Sequence, residues 1–250
     1  MSPRVHRSNG GTGTEMARLH EQAQLLALGD SALVIEFPPG INASTNTAVH
    51  ALARWIGINL RVGIIETVPA YHTLTVFYDP CVYWFDELKS LLADIDFSDS
   101  AMEQEARAVV IPVCYDLSLA PDLPLLAEHC GISIDDVIAL HTSASYRVFF
   151  LGFKPGFAYL GGLDARLHMP RKASPRALVP AGAVAIGGEQ TGVYPQASPG
   201  GWQIIGRTPS RLFDVSKEPP CLLQAGDQVN FRAISLQEFL AQGGSMQGGS

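Results

Sequence analysis

Between residues 24 and 95 the chain alternates short apolar runs with one-sided helical stripes. Gln24–Leu28 and Ala32–Phe37 are apolar runs separated by Gly29-Asp30, a two-residue hairpin signal, and predict two antiparallel strands. Ser44 or Thr45 can cap the helix that follows, whose apolar positions Val49, Leu52, Trp55 and Ile56 recur at helical spacing. Gly63–Val68 and His72–Tyr78 predict two further strands joined near Pro69-Ala70. Trp84, Phe85, Leu88, Leu91, Leu92 and Ile95 then share one helical stripe. Both helices are apolar on one face only, so the ββα-ββα order predicts a sheet covered by helices on one side.

The second half has a different rhythm. Ala108–Val113 predicts a strand, and a short helix over Leu123–Cys130 should stop at Gly131, placed as its C-terminal cap. Ser133 and Asp136 have capping-box spacing for a helix through Val137, Ile138 and His141. After Tyr146, strand-like runs (Tyr146–Phe153, Ala183–Ile186, Gln203–Ile205, Gln228–Ala233) alternate with Gly- and Pro-rich loops, and no further long helical pattern follows. That pattern predicts a mostly β barrel or sandwich. The expected organisation is an N-terminal tail over 1–21, an α+β domain over 22–104, a mostly β domain over 105–240 and a tail over 241–250, with the acidic stretch Ser98–Glu105 as the boundary.

Composition narrows the function. The balance of 17 Lys and Arg against 24 Asp and Glu gives a net charge of −7, and the basic residues are scattered, which argues against a nucleic-acid partner. No apolar run approaches the roughly 18 residues of a membrane helix, and the first 22 residues contain no apolar block of secretory type. Cys81, Cys114, Cys130 and Cys221 form no CxxC pair and are expected to be reduced, so the expected address is the cytoplasm.

The chemistry-bearing residues concentrate after His141. Arg171, Lys172 and Arg176 form a basic cluster among prolines, read either as a solvated loop or as a site for a carboxylate or phosphate, which the arginine fork matches. The glycines of Gly187-Gly188-Glu189-Gln190-Thr191-Gly192 serve either tight turns or the approach of a ligand, with Gln190 and Thr191 as donors. Ser198-Pro199-Gly200-Gly201-Trp202 is a rigid turn whose Trp202 is either core or pocket wall. Arg207 is a second candidate anion ligand. His141 and Tyr146 precede a buried strand, where a histidine more often holds structure than performs catalysis, and His72 invites the same reading. GWQIIGRT (201–208) nearly matches a phosphate-cradling loop, but Arg207 replaces the lysine and Trp-Gln-Ile-Ile is strand-like. No clustered Cys/His pattern supports a metal.

Three strings, VIALHTSASYRVFFLGFKPGFAYLGGLDARL, MPRKASPRALVPAGAVAIGGEQTGVYPQASPGGWQIIGRTP and LFDV, carry a resemblance to the family of 5-oxoprolinase B subunits, also called allophanate hydrolase subunit 1 or the KipI-type kinase inhibitors. The same module occurs in the urea carboxylase arm of urea amidolyases. The resemblance spans about residues 24–234 and is strongest from His141 to Asp214. One stretch departs from it: where many members carry a Gly-Gly loop, this chain reads CYDLSLAPDL.

The resemblance implies an α/β N-terminal domain followed by a cyclophilin-like β-barrel. It also implies a role as the B subunit of an ATP-dependent complex that converts 5-oxoproline to glutamate, inactive without its partners. Those partners would be the 5-oxoprolinase C subunit, similar to biotin-dependent carboxyltransferases, and the A subunit, of the LamB/YcsF type. ATP would be a co-substrate of the complex, with no tightly bound cofactor. Members of the family also suggest two alternatives, inhibition of a sensor histidine kinase and a part in a urea or allophanate carboxylase-hydrolase system. This chain has no Met-Lys-Met biotinylation string for the latter.

No catalytic residue follows from the resemblance. On chemistry and motif position, Arg171, Arg176 and Arg207 are expected to bind carboxylate or phosphate, and Gln190, Thr191 and Tyr194 to orient the substrate. His141, Tyr146, Gly200, Gly201 and Trp202 are structural or pocket candidates. The stiffened loops are expected to converge on one guanidinium-lined cleft.

Overall fold

The computed structural model describes residues 19–93, 95 and 107–246. These form two compact units, one of residues 19–39, 51–68 and 73–95, the other of residues 40–50, 69–72 and 107–246. The boundary expected over Ser98–Glu105 lies outside the described residues, as do most of the expected N-terminal tail (1–18) and the last four residues.

In the first unit, α1 (Leu19–Gln22) precedes a four-stranded sheet of β1 (Gln24–Ala27), β2 (Ala32–Glu36), β3 (Ile64–Pro69) and β4 (Thr73–Tyr78), in the order β1-β2-β4-β3. Gly29, at φ 63°, reverses the chain between β1 and β2, a conformation that suits glycine. Leu33 pairs with Val76 and Ile35 with Leu74. All four are fully buried while the alternate positions Val34 and Thr75 stay partly open, as expected for a sheet covered on one face. Leu52 and Ile56 of α2 (Ala43–Asn59) and Leu88 and Leu92 of α3 (Phe85–Ala93) are buried with them.

Two expectations need correction here. The N-cap of α2 is Asn42, whose Oδ1 accepts the amides of Ser44 at 2.8 Å and Thr45 at 3.3 Å; Ser44 and Thr45 already lie in the first turn. Trp84 lies one residue before α3 and is 79% exposed, off the buried stripe.

Seven strands of the second unit close into a barrel: β5 (Ala108–Cys114), β6 (Ser145–Leu151), β7 (Ala158–Gly161), β9 (Ala183–Gly187), β10 (Gln190–Val193), β12 (Gln203–Arg207) and β13 (Gln228–Ile234). The order is β10-β7-β6-β13-β5-β12-β9, with β9 returning to β10, so no strand edge is left open. The protein is thus an α+β unit followed by a mostly β, cyclophilin-like barrel unit.

Ile111, Val148, Leu160, Val184, Ile186, Ile205 and Val229 fill the barrel core. Leu123 and Leu126 of α4 (Leu123–Cys130) and Val137 of α5 (Ile134–Ser143) join that core. Gly131 ends α4 in the left-handed region at φ 67°, and Ser133 with Asp136 forms the expected capping box of α5. A separate ribbon pairs β8 (Arg176–Val179) with β11 (Ser198–Gly200). The hydrophobic pattern gave no sign of α6 (Leu236–Ala241), six residues opened by a Ser235/Glu238 capping box and too short to show a helical period.

Candidate functional site

Every residue of β9 and β12 is buried, because both faces of these strands are covered. Val184, Ile186 and Ile205 point into the barrel, while the alternate residues Ala183, Ala185 and Ile204 belong to a second cluster with Phe157, Val179, Tyr194 and Trp202. Trp202 lies flat against glycine: a Cβ added at Gly187 would sit 2.7 Å from the indole, and one at Gly192 3.2 Å from it. Phe157 meets Trp202 edge-on at 5.6 Å and Tyr194 at 5.5 Å, and Tyr159 meets Trp202 at 6.3 Å.

These rings wall a cleft of about 320 Å³, completed by Phe153, Arg171, Lys172, Pro175 and the turn Pro199–Gly201. Phe153 is the only non-glycine residue with positive φ among the described residues, at 65°. The amide of Lys154 reaches back to the carbonyl of Gly152 at 2.7 Å, closing a tight three-residue turn. A bulky residue in that conformation is strained, and such strain gathers at binding sites.

Arg171 supplies the positive charge of the cleft. Its guanidinium lies 5.5 Å from the centroid of the Trp202 ring and has no carboxylate partner among the described residues. The neighbouring cations are committed elsewhere. Arg176 donates to Asp122 Oδ1 at 2.6 Å and Lys172 Nζ lies 3.3 Å from the same oxygen, while Asp122 Oδ2 accepts the amide of Ile204 at 2.6 Å. Burial alone would raise the Asp122 carboxyl, but Arg176, the Ile204 amide and Lys172 outweigh it and hold it below the ordinary range. Burial pushes the Tyr194 phenol upward, so it faces the cleft in its neutral form.

The sequence-predicted residues therefore separate. Arg171, Tyr194, Gly200, Gly201 and Trp202 line the aromatic cleft. Arg176 does not line that cleft: its Nη2 donates to Asp122, and its Nη1 is buried without a partner. Arg207 lies in another hollow of about 340 Å³, with Thr208, Ser210 and Arg211, and donates to the carbonyls of Ala181 and Ser245, both at 2.8 Å. The expected single guanidinium-lined cleft is thus two hollows, Arg171 in one and Arg207 in the other.

Thr191 is fully buried: its hydroxyl donates to the Ala185 carbonyl at 3.2 Å and so accepts from His141 Nε2 at 2.9 Å. Tyr115 bonds His141 Nδ1 at 2.7 Å, the Tyr146 hydroxyl donates to the His141 carbonyl at 2.8 Å, and the imidazole stacks on Phe231 at 4.6 Å. His141 and Tyr146 are therefore core residues, and Thr191 is one with them. Gln190, next along β10, faces outward near Tyr71, whose buried hydroxyl it approaches without a well-shaped hydrogen bond. The residues 187–190 make the β9–β10 hairpin, with Gly188 at φ 68° at its tip. GWQIIGRT is the strand β12 and its lead-in, as the rejection of a phosphate loop requires.

Sequence reasoning missed Phe153, Phe157, Tyr159 and Asp122. The string GFKPGFAY carried the aromatics, and nothing in the sequence marked Asp122 as the anchor of a loop 50 residues away. A hollow of about 440 Å³ in the first unit, between Gln22–Gln24 and Glu36–Pro39, gathers no comparable set of groups. Among the described residues no group of His, Cys, Asp and Glu could hold a metal, and no helix is long and apolar enough to cross a membrane.

Residues 23–223 match the family described as the carboxyltransferase domain, subdomain C and D. The chain is 44% identical over 229 residues to the 5-oxoprolinase B subunit of Bacillus subtilis (strain 168), covering 87% of this chain and 95% of that protein. It is 42% identical over 212 residues to the 5-oxoprolinase B subunit of Escherichia coli O157:H7, covering 84% and 96% respectively. The crystal structure of TTHA0988 superposes with a TM-score of 0.72 at 39% identity over 82% of this chain, which spans 40% of that longer chain. The protein belongs to the carboxyltransferase subdomain C and D family and, within it, to the group of 5-oxoprolinase B subunits.

Proposed function

We propose that this chain is the B subunit of an ATP-dependent 5-oxoprolinase and that the aromatic cleft receives the substrate. The similarity to the B. subtilis protein over nearly the whole of both chains carries the assignment. The cleft supports it chemically. 5-Oxoproline is a small, flat ring bearing one carboxylate; Arg171 presents an uncommitted guanidinium, and Trp202, Phe157 and Tyr159 present apolar surface beside it. The Tyr194 hydroxyl would orient the lactam.

The reaction explains the need for partners. An unactivated amide is a poor electrophile; phosphoryl transfer from ATP to its oxygen releases ADP and opens the ring carbon to water. The C–N bond then breaks to free the amine and leave an acyl phosphate, and a second water hydrolyses that to glutamate and phosphate. This chain offers binding groups and no phosphate-cradling loop in Gly201–Thr208, so phosphoryl transfer falls to an assembly with a C-type and an A-type partner, in which ATP is a co-substrate.

The test is phosphate release dependent on 5-oxoproline, measured for this chain alone and with candidate C and A subunits. Turnover only in the full mixture supports the reading. Substantial turnover by the lone chain, or none in any mixture, overturns it.

A further inference from the structure

Among the described residues Arg171 makes no hydrogen bond or ion pair that would hold it over Trp202, yet the loop that carries it is pinned on both sides. Before it, the Pro170 carbonyl accepts from Gln203 Nε2 at 3.0 Å; after it, the Lys172 amide donates to the Gly201 carbonyl at 2.7 Å. Beyond these, the side chains of Lys172 and Arg176 end on one carboxylate, Asp122. That carboxylate also accepts the Ile204 amide, and the Asp122 amide donates to the Ile204 carbonyl at 3.0 Å. Asp122 is therefore bonded both to the loop bearing Arg171 and to the strand that begins next to Trp202.

We infer that Asp122 is a positioning residue that sets the separation of Arg171 from Trp202 and so aims the cleft's guanidinium at an anionic ligand. Its side chain is only 5% exposed and does not line the cleft, so it acts through the loop and not by touching substrate. Apolar packing of similar volume would often stabilise a fold as well as a buried ion pair does. What the charge adds is direction: two cations of one loop converge on one point. It also draws Lys172 toward Asp122, leaving Arg171 to meet the ligand.

The naming of the ligand rests on the 5-oxoprolinase reading; the positioning does not, and two measurements separate them. In the reconstituted assembly, Asp122→Asn should raise KM for 5-oxoproline about tenfold while kcat and KM for ATP stay within about twofold. A merely structural role would lower kcat through loss of folded enzyme and leave KM unchanged; that result overturns the inference. Arg171→Ala in the same assay tests the ligand, and an unchanged KM there counts against the reading of the cleft alone.

The position itself is read in a crystal structure of Asp122→Asn, with or without substrate. The Arg171–Trp202 separation should open beyond about 6 Å, the reach of a cation–π contact. Retention of the 5.5 Å separation overturns the inference. If Asp122→Asn does not fold, Arg176→Met removes the other half of the pair and is held to the same two outcomes.

Discussion

The guanidinium of Arg171 stacks on the ring of Trp202 at 5.5 Å, and the two residues come from segments 31 positions apart that meet through Lys172 and Gly201. Both residues line the cleft, and a guanidinium held over an aromatic face can still offer its donor fork to a ligand there. If a carboxylate docks there, Arg171→Ala should raise KM for 5-oxoproline by about tenfold to hundredfold, the loss of a charged hydrogen-bonded pair of about 1.5–3 kcal/mol. Arg171→Lys should fall between, since it keeps charge but loses the fork and the stack. Equal KM values for all three proteins in steady-state assays would remove Arg171 from the substrate.

Phe153 separates stability from binding. At φ 65° its backbone suits glycine, and the residue is 58% exposed at the mouth of the cleft. Phe153→Gly should relieve strain of about 1–3 kcal/mol, offset by the greater freedom of glycine in the unfolded chain. The expected result is an unfolding free energy within about 1 kcal/mol of wild type in urea titrations, with weaker substrate binding. A large loss of stability would mean that the ring packs more than its exposure indicates.

Much of the fold was legible because local rules and tertiary structure agree. Gly29, Gly131 and the Ser133/Asp136 box each act where the sequence puts them. The site was legible as a region and not as a set of partners. Gln190 and Thr191 are neighbours in sequence, but a strand sends successive side chains to opposite faces, so one lies near Tyr71 and the other enters the barrel. Arg171, Arg176 and Arg207 look equivalent in a string. Only closure of the barrel decides that Asp122 neutralises one, Trp202 holds another and the carbonyls of Ala181 and Ser245 take the third.

Gly187 should tolerate no side chain. A Cβ there would lie 2.7 Å from three atoms of the Trp202 ring, and a rigid indole cannot yield as a flexible chain can. Gly187→Ala should therefore cost about 1–3 kcal/mol by overpacking. Displacement of Trp202 should also weaken binding at the cleft, beyond what lower stability explains. Differential scanning calorimetry and KM for 5-oxoproline check the two effects. A normal Tm would show that Trp202 has room to move.

His141 gives the barrel a pH dependence of defined sign. Burial pulls its imidazole from 6.5 down to about 3, and both ring nitrogens are already bonded, to Tyr115 and Thr191. Between those values the unfolded chain binds a proton that the folded chain refuses. The contribution is therefore complete above pH 6.5 and is lost as pH falls toward 3. His141→Gln keeps a donor and an acceptor but does not titrate. It should lower stability at pH 7 by about 1–3 kcal/mol through poorer hydrogen-bond geometry. It should also flatten the fall in stability between about pH 6 and pH 4, where each proton is worth about 1.36 kcal/mol per pH unit. Urea titrations of both proteins across that range measure the slope. An unchanged slope would mean that His141 already accepts a proton in the folded barrel, which its stacking on Phe231 and lack of exposed surface oppose.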